Sequence, residues 1–393
     1  MTADRRRACA AALIGLPSMG PRRLARLLSA RHPEEVWEQL VAGCHPDGPG
    51  DDLTRDAGSV DPDEVAAGYA AAGVVVLLPD DDGYPDRLRH DPGAPAVLFA
   101  TGRPSCLAGR PAVAIVGTRS ATPYGRQMAQ ELGGDLADAG VVVVSGLAKG
   151  IDAAAHTGAL RTEVGDPGPA VAVVGTGPDV VYPAATAGLW GEVARKGAIF
   201  SEAPLGTQPH PGVFPARNRI IAALADVVVV VECHHQGGSL YTAEAAARRG
   251  IPVGAVPGSV KSRASEGTNG LLVDGCTPIR DAADVLVAIS LSTAGGSGSH
   301  PPTDRLALTA ARGLDRQPPS SQPPQLTGSD GVRSKPAEGS PTRQVLDAVE
   351  SQPTSLETIL LRTGLSVGAA AEACDHLVDS GHLRSGGGWW SRS

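Results

Sequence analysis

The chain is poor in aromatic residues: its 393 residues include 3 Phe, 5 Tyr and 4 Trp. A binding surface made of many stacked rings is therefore not expected, and any binding must lean on charge and backbone. Lysine is scarce as well, so nearly all the positive charge is arginine. The formal net charge of −8 excludes a protein coated in basic surface and confines any polyanion site to a local patch. The six cysteines (Cys9, Cys44, Cys106, Cys233, Cys276, Cys374) form no C-x-x-C pair, which fits thiols in a reducing compartment better than disulfides or zinc. No stretch approaches the roughly 20 apolar residues of a membrane span. The start does not resemble a signal peptide, since the apolar run after Arg5-Arg6-Arg7 is broken by Gly15 and Pro17. The chain reads as cytoplasmic, without a membrane partner. There is no G-x-x-x-x-G-K-[ST], so ATP hydrolysis on a P-loop is not expected. Gly117 and Gly125 do not fit G-x-G-x-x-G, and no acidic residue is placed for a ribose; no cofactor is expected. His234-His235 lack companions at metal spacing, and no nucleophilic triad can be assembled.

What is present centres on residues 112–151. Val113 to Val116 is an apolar run short enough for a strand buried on both faces, broken by Gly117-Thr118-Arg119. Gln127 to Ala139 is Ala/Leu-rich and free of Pro, with Gly140 as a stop, and Val141 to Val144 follows as a second buried strand. This is a β-α-β unit whose two strands end alike. Gly117, Thr118, Ser120 and Gly125 at one end, and Ser145, Gly146 and Gly150 at the other, would let backbone N–H groups approach an anion. Arg119 and Lys149 add formal positive charge. In an open α/β sheet, adjacent strand ends share one crevice at the carboxyl edge. Asp152 and His156 lie four apart on one helix face, as a brace for the helix start or a catalytic pair.

Alternation continues with strands at Val171–Val174, Ala198–Ser201, Val227–Glu232 and Val253–Val256, each followed by a glycine or proline turn. The pattern predicts a doubly wound, mostly parallel α/β sheet over 76–290. In Phe214-Pro215-Ala216-Arg217-Asn218-Arg219 the two arginines are two positions apart, so on a helix they point about 200° from one another. One is expected to bind a ligand or partner and the other to make a structural ion pair. Residues 1–75 read as a small helical domain, with Leu13 to Pro21 in the form of a helix-hairpin-helix turn. Asp80-Asp81-Asp82 reads as a solvated turn between strands at 74–79 and 96–100. Residues 291–340 turn to Ser, Pro, Gly and Thr and read as a disordered linker. Residues 341–393 give three helices and a β tip, a winged helix. Its third helix carries Glu372, Asp375 and Asp379 and no Lys or Arg, which favours protein contact over groove reading.

These motifs, in this order, resemble the DprA/Smf family, DNA processing protein A of bacteria. The resemblance is carried by Gly117-Thr118-Arg119 with Tyr124-Gly125, Ser145 to Asp152 with His156, and Gly175-Thr176-Gly177 with Asp179 and Tyr182-Pro183. It continues through Ser201 to Pro204, Phe214 to Ala222, Gly238 to Glu244, and Pro257-Gly258. It implies a Rossmann-like domain and a protein without catalytic activity that binds single-stranded DNA. It further implies a homodimer that loads RecA recombinase during natural transformation. DNA contact is carried over to Gly117, Thr118, Arg119, Ser120, Tyr124, Gly125, Ser145, Gly146, Lys149 and Gly150, and to Phe214, Arg217, Asn218, Arg219, Gly238 and Ser239. Tyr124, Phe214 and Tyr241 are the rings placed to stack on bases. The alternative is an enzyme: Gly237-Gly238 with Thr242 and Glu244 is similar to the loop of LOG-type nucleotide phosphoribohydrolases, with one residue of extra spacing. A nucleotide-sensing regulator on the same fold is a third reading.

Overall fold

In the computed structural model the described residues are 3–17, 19–44, 53–162, 166–210, 212–294, 339–349, 354–380, 382–386 and 389–392. Contacts divide the chain into two units, 1–317 and 318–393.

The first unit is built on a nine-stranded sheet. Its strands are β1 (Val75–Leu77), β2 (Leu98–Gly102), β3 (Ala112–Val116), β4 (Val142–Ser145), β5 (Ala170–Val174), β6 (Ala198–Ser201), β7 (Val227–Val230), β8 (Val253–Ala255) and β9 (Thr277–Pro278), in the order β1-β2-β6-β5-β4-β3-β7-β8-β9. Strands β3 to β9 all run parallel, and β1 and β2 add an antiparallel edge. Alternate side chains supply two cores. Ala114, Val144, Val173 and Val228 face α10 (Val213–Ala223) and α11 (Leu240–Ala247). Ile115, Val143, Ala172 and Val229 face α7 (Pro123–Asp138), α8 (Ile151–Ala159) and α13 (Ala282–Ala294). Burial on both faces explains why these strands are uninterrupted apolar runs.

The amino-terminal helices are α1 (Ala3–Gly15), α2 (Pro21–Leu28), α3 (Pro33–Val41), α4 (Leu53–Ala57) and α5 (Pro62–Ala71). They are not a separate compact unit as expected for 1–75, because they close a third core over the antiparallel edge. Leu13, Leu24, Trp37 and Tyr69 are buried together with Val76, Leu78 and Phe99. The Tyr69 and Phe99 rings stack at 4.8 Å. The acidic turn is not simply solvated either: Arg6 pairs with Asp80 at 3.2 Å and Arg7 with Asp81 at 2.8 Å. Burial alone would raise the Asp81 carboxyl, but Arg7 and the Leu78 N–H outweigh it and hold it below the usual carboxylate range.

Helix α13 runs to Ala294, so the first four residues of the linker expected at 291–340 are helical; 295–338 lie outside the described residues, and Gly339 and Ser340 lead into the next helix. Between α11 and α13 lies α12 (Glu266–Val273), and α6 (Asp86–Arg89) and α9 (Ala187–Lys196) complete the first unit. The second unit has helices α14 (Pro341–Ala348), α15 (Leu356–Thr363) and α16 (Val367–Asp379). Its strands β10 (Thr354–Ser355), β11 (Leu383–Gly386) and β12 (Trp389–Arg392) pair antiparallel in the order β10-β12-β11. Val345, Ile359, Cys374, Leu377 and Leu383 form its core. Among the described residues no helix is long and apolar enough to cross a membrane.

Candidate nucleic-acid interface

Both glycine turns lie at the carboxyl edge of the sheet, yet neither is an open cradle of amides. After β3, the Thr118 N–H donates to the Glu232 carbonyl at 2.8 Å. Helix α7 begins after Thr122, whose side chain accepts from the Gly125 N–H at 3.1 Å. The Glu232 carboxylate is 2% exposed and accepts from the Thr122 N–H at 2.9 Å and its hydroxyl at 2.5 Å. An internal carboxylate thus occupies the anion position at the start of α7. Gly125 is required for that packing, since a Cβ there would lie 2.2 Å from Glu232 Oε2.

The turn after β4 repeats the arrangement. The Gly146 N–H donates to Asp152 Oδ2 at 3.2 Å, and Asp152 sits buried in the first turn of α8. Burial raises the Asp152 carboxyl, against Arg217 and the Ala148 and Gly146 N–H groups, which lower it. The Ser145 hydroxyl donates to the Ile115 carbonyl at 2.6 Å, and Ser120 N–H to Thr118 Oγ1 at 3.2 Å. Gly150 holds φ +84, and a Cβ there would lie 2.3 Å from the Thr118 carbonyl. The expectation that Thr118, Gly125, Ser145 and Gly146 present donors to a ligand is therefore corrected: the Thr118, Gly125 and Gly146 N–H groups and the Ser145 hydroxyl are spent inside the protein. Gly117 likewise serves packing, against Ile151.

What remains open is a pocket of about 130 Å³ between the two turns and α10, lined by Arg119, Gly146, Ala148, Lys149, Tyr182, Pro183, Phe214 and Arg217. Arg119 and Lys149 are exposed cations. The Arg119 guanidinium lies over the Phe214 ring, 4.7 Å from its centroid, and Tyr182 packs on Phe214 at 5.6 Å. Arg217 is 7% exposed and donates to the Gly146 carbonyl at 3.0 Å. Burial lowers its guanidinium to about 10, with Asp152 opposing, so it stays charged at neutral pH. A Cβ at Gly146 would meet Arg217 Nη1 at 1.7 Å, so any side chain there displaces the guanidinium.

The two arginines of α10 diverge as their spacing requires: Arg219 turns away to Glu202, at 2.6 and 2.7 Å. Asn218 donates to the Gly238 carbonyl at 3.2 Å, and the Ser239 hydroxyl to Cys233 Sγ at 2.9 Å; neither side chain lines the pocket. The exposed Tyr124 donates to the Pro257 carbonyl at 2.9 Å, and Tyr241 is exposed on α11; both rings stand outside the pocket. Tyr182 was not assigned to the site from sequence, although Tyr182-Pro183 was singled out as a motif. Asp152 and His156 do not form a pair: His156 is fully buried, with Nε2 3.1 Å from the Val171 carbonyl. Glu244, the candidate hydrolase acid, pairs with Arg248.

The fold and site define a Rossmann-like α/β protein whose helix starts are filled by its own carboxylates and whose crevice presents arginine, lysine and stacked rings. The family model for DNA recombination-mediator protein A matches residues 75–290. The chain belongs to this family, the DprA/Smf family that its motifs resemble. It is 34% identical over 299 residues to Protein Smf of Synechocystis, covering 74% of this chain and 73% of that protein. It is 40% identical over 206 residues to DNA processing protein DprA of Streptococcus pneumoniae, covering 52% of this chain and 71% of that one. The X-ray structure of the Streptococcus pneumoniae protein superposes with a TM-score of 0.60 at 30% identity, covering 73% of this chain and 98% of that chain.

Proposed function

We propose that the chain binds single-stranded DNA at the Arg119 pocket, gripping phosphates without reading sequence. The observation that carries the reading is the convergence of Arg119, Lys149 and Arg217 on one pocket beside Phe214 and Tyr182. Cations track a phosphate backbone and an aromatic face takes an unpaired base, whereas the bases of a duplex are stacked away from such a ring. Family membership supports the same reading. The proposal extends, on the resemblance, to a cytoplasmic homodimer that protects incoming DNA in natural transformation and loads RecA recombinase onto it. The second unit is proposed as a winged helix that contacts protein. No catalytic step is part of the proposal: Asp152 and His156 are buried on backbone partners, and Glu244 is held by Arg248.

Lys149→Gln tests the phosphate grip. Fluorescence anisotropy with homopolymer single strands is expected to show weaker binding on every sequence. The slope of log affinity against log salt should be shallower by about 0.7, the value of one lost contact. An unchanged slope in the folded variant would place the strand elsewhere.

A further inference from the structure

The parallel strands have a second edge. At their amino-terminal ends, away from the Arg119 pocket, a cleft of about 650 Å³ opens beside the starts of β5 and β6. Four cations line it, Arg103, Arg110, Arg195 and Lys196, against one carboxylate among the described lining residues, Asp166. In a chain of net charge −8 this is a marked local concentration.

Most of these cations are held in place. Arg103 leaves β2 with its N–H on the Gly197 carbonyl at 2.8 Å and its guanidinium on the Lys196 carbonyl. The Lys196 ammonium donates to the Leu160 carbonyl at 3.0 Å, and Arg110 pairs with Asp166. The Leu160 and Lys196 carbonyls are the open ends of α8 and α9, each worth about half a negative charge. Among the described lining residues the four cations thus outnumber Asp166 and the two helix ends together. Capping the helix ends and pairing with Asp166 fixes Arg103, Lys196 and Arg110 in place, and the exposed Arg103 guanidinium keeps donors for a phosphate. Exposed Arg195 stands beyond those tasks.

We propose that this cleft is a second phosphate site, which takes a further stretch of the strand held at the Arg119 pocket. The assignment rests on the single-strand reading above. Strands of four or five residues put the two edges about 15 Å apart through the sheet. Helices cover its faces, so a nucleic-acid strand that reaches both edges passes along the outside of α8 and α9, which run from the pocket to the cleft, and only a long oligonucleotide spans them.

The test compares the full chain with the Arg103→Ala/Arg195→Ala variant, on an oligothymidylate of about 4 nucleotides, enough for one site, and on one several times longer. The variant is expected to lose about 1.4 from the salt slope on the long strand, about 0.7 for each contact, with the short strand unaffected. A long-strand slope equal to that of the unaltered chain overturns the proposal. Tripolyphosphate supplies a further arm: if its binding falls in the variant while the long-strand slope holds, the cleft belongs to a free polyphosphate instead. Should the double variant fold poorly, Arg195→Glu, at an exposed position, carries the same comparison. Failure of the unaltered chain to bind either oligonucleotide would instead sink the single-strand reading itself.

Discussion

Replacing Arg119 by alanine is expected to weaken binding of single-stranded oligonucleotides about 10- to 100-fold. Two losses combine. The exposed guanidinium is a phosphate donor, and a charge-assisted contact contributes about 1.5–3 kcal/mol. It also lies 4.7 Å over the Phe214 ring, so its removal takes away a contact that holds in place the ring proposed to receive a base. Stability should change little, because the side chain is exposed and Arg217 keeps its bond to the Gly146 carbonyl. Arg119→Lys separates the two effects: the charge returns and with it the salt slope, while the planar stack on Phe214 does not, so affinity recovers only in part. Anisotropy titrations of both variants check this. Full affinity in a folded Arg119→Ala protein would detach the pocket from the strand.

The second large effect is on acid stability and comes from His156. Burial pushes its imidazole down from 6.5 to about 4, opposed by the Val171 carbonyl. The native state therefore holds the ring neutral while the unfolded chain protonates it near 6.5. Its contribution is fully present above pH 6.5 and is lost as the pH falls toward 4, to a total of about 3 kcal/mol. Urea midpoints measured between pH 7 and pH 4.5 should fall in the unaltered chain. In His156→Gln, which keeps a donor for Val171 and cannot titrate, that fall should be much smaller. Parallel curves would assign the acid sensitivity to carboxylates common to both.

The parallel sheet was legible because strands buried on both faces carry no polar punctuation: Val141 to Val144 and Val227 to Val230 admit few other readings. The divergence of Arg217 and Arg219 was legible for the same local reason, two residues being about 200° on a helix. What was not legible is long-range. Glycine turns at strand ends have the composition of a phosphate cradle, and nothing near Gly125 announces that Glu232, 107 positions later, fills it. Asp152 was visible as a helix-start residue, but its partner, the Gly146 N–H, follows from a turn that tertiary packing sets. Tyr182 reaches Phe214 only through the fold. The separation of the amino-terminal helices failed similarly, since Phe99 is an ordinary strand residue until Tyr69 stacks on it.

The filled helix starts change what the crevice can select. A mononucleotide held by helix dipoles would need the positions that Glu232 and Asp152 occupy. Side-chain cations outside them suit a chain of phosphates better than a single buried one. The most direct measurement is the affinity of the unaltered protein for a labelled single strand and for its duplex, titrated across salt. The account predicts a clear preference for the single strand and a log–log salt slope of at least about −2, from the pocket's three cations at about 0.7 each, steeper on a strand long enough to reach the second cleft. Equal affinity for the duplex, or binding that ignores salt, would contradict it.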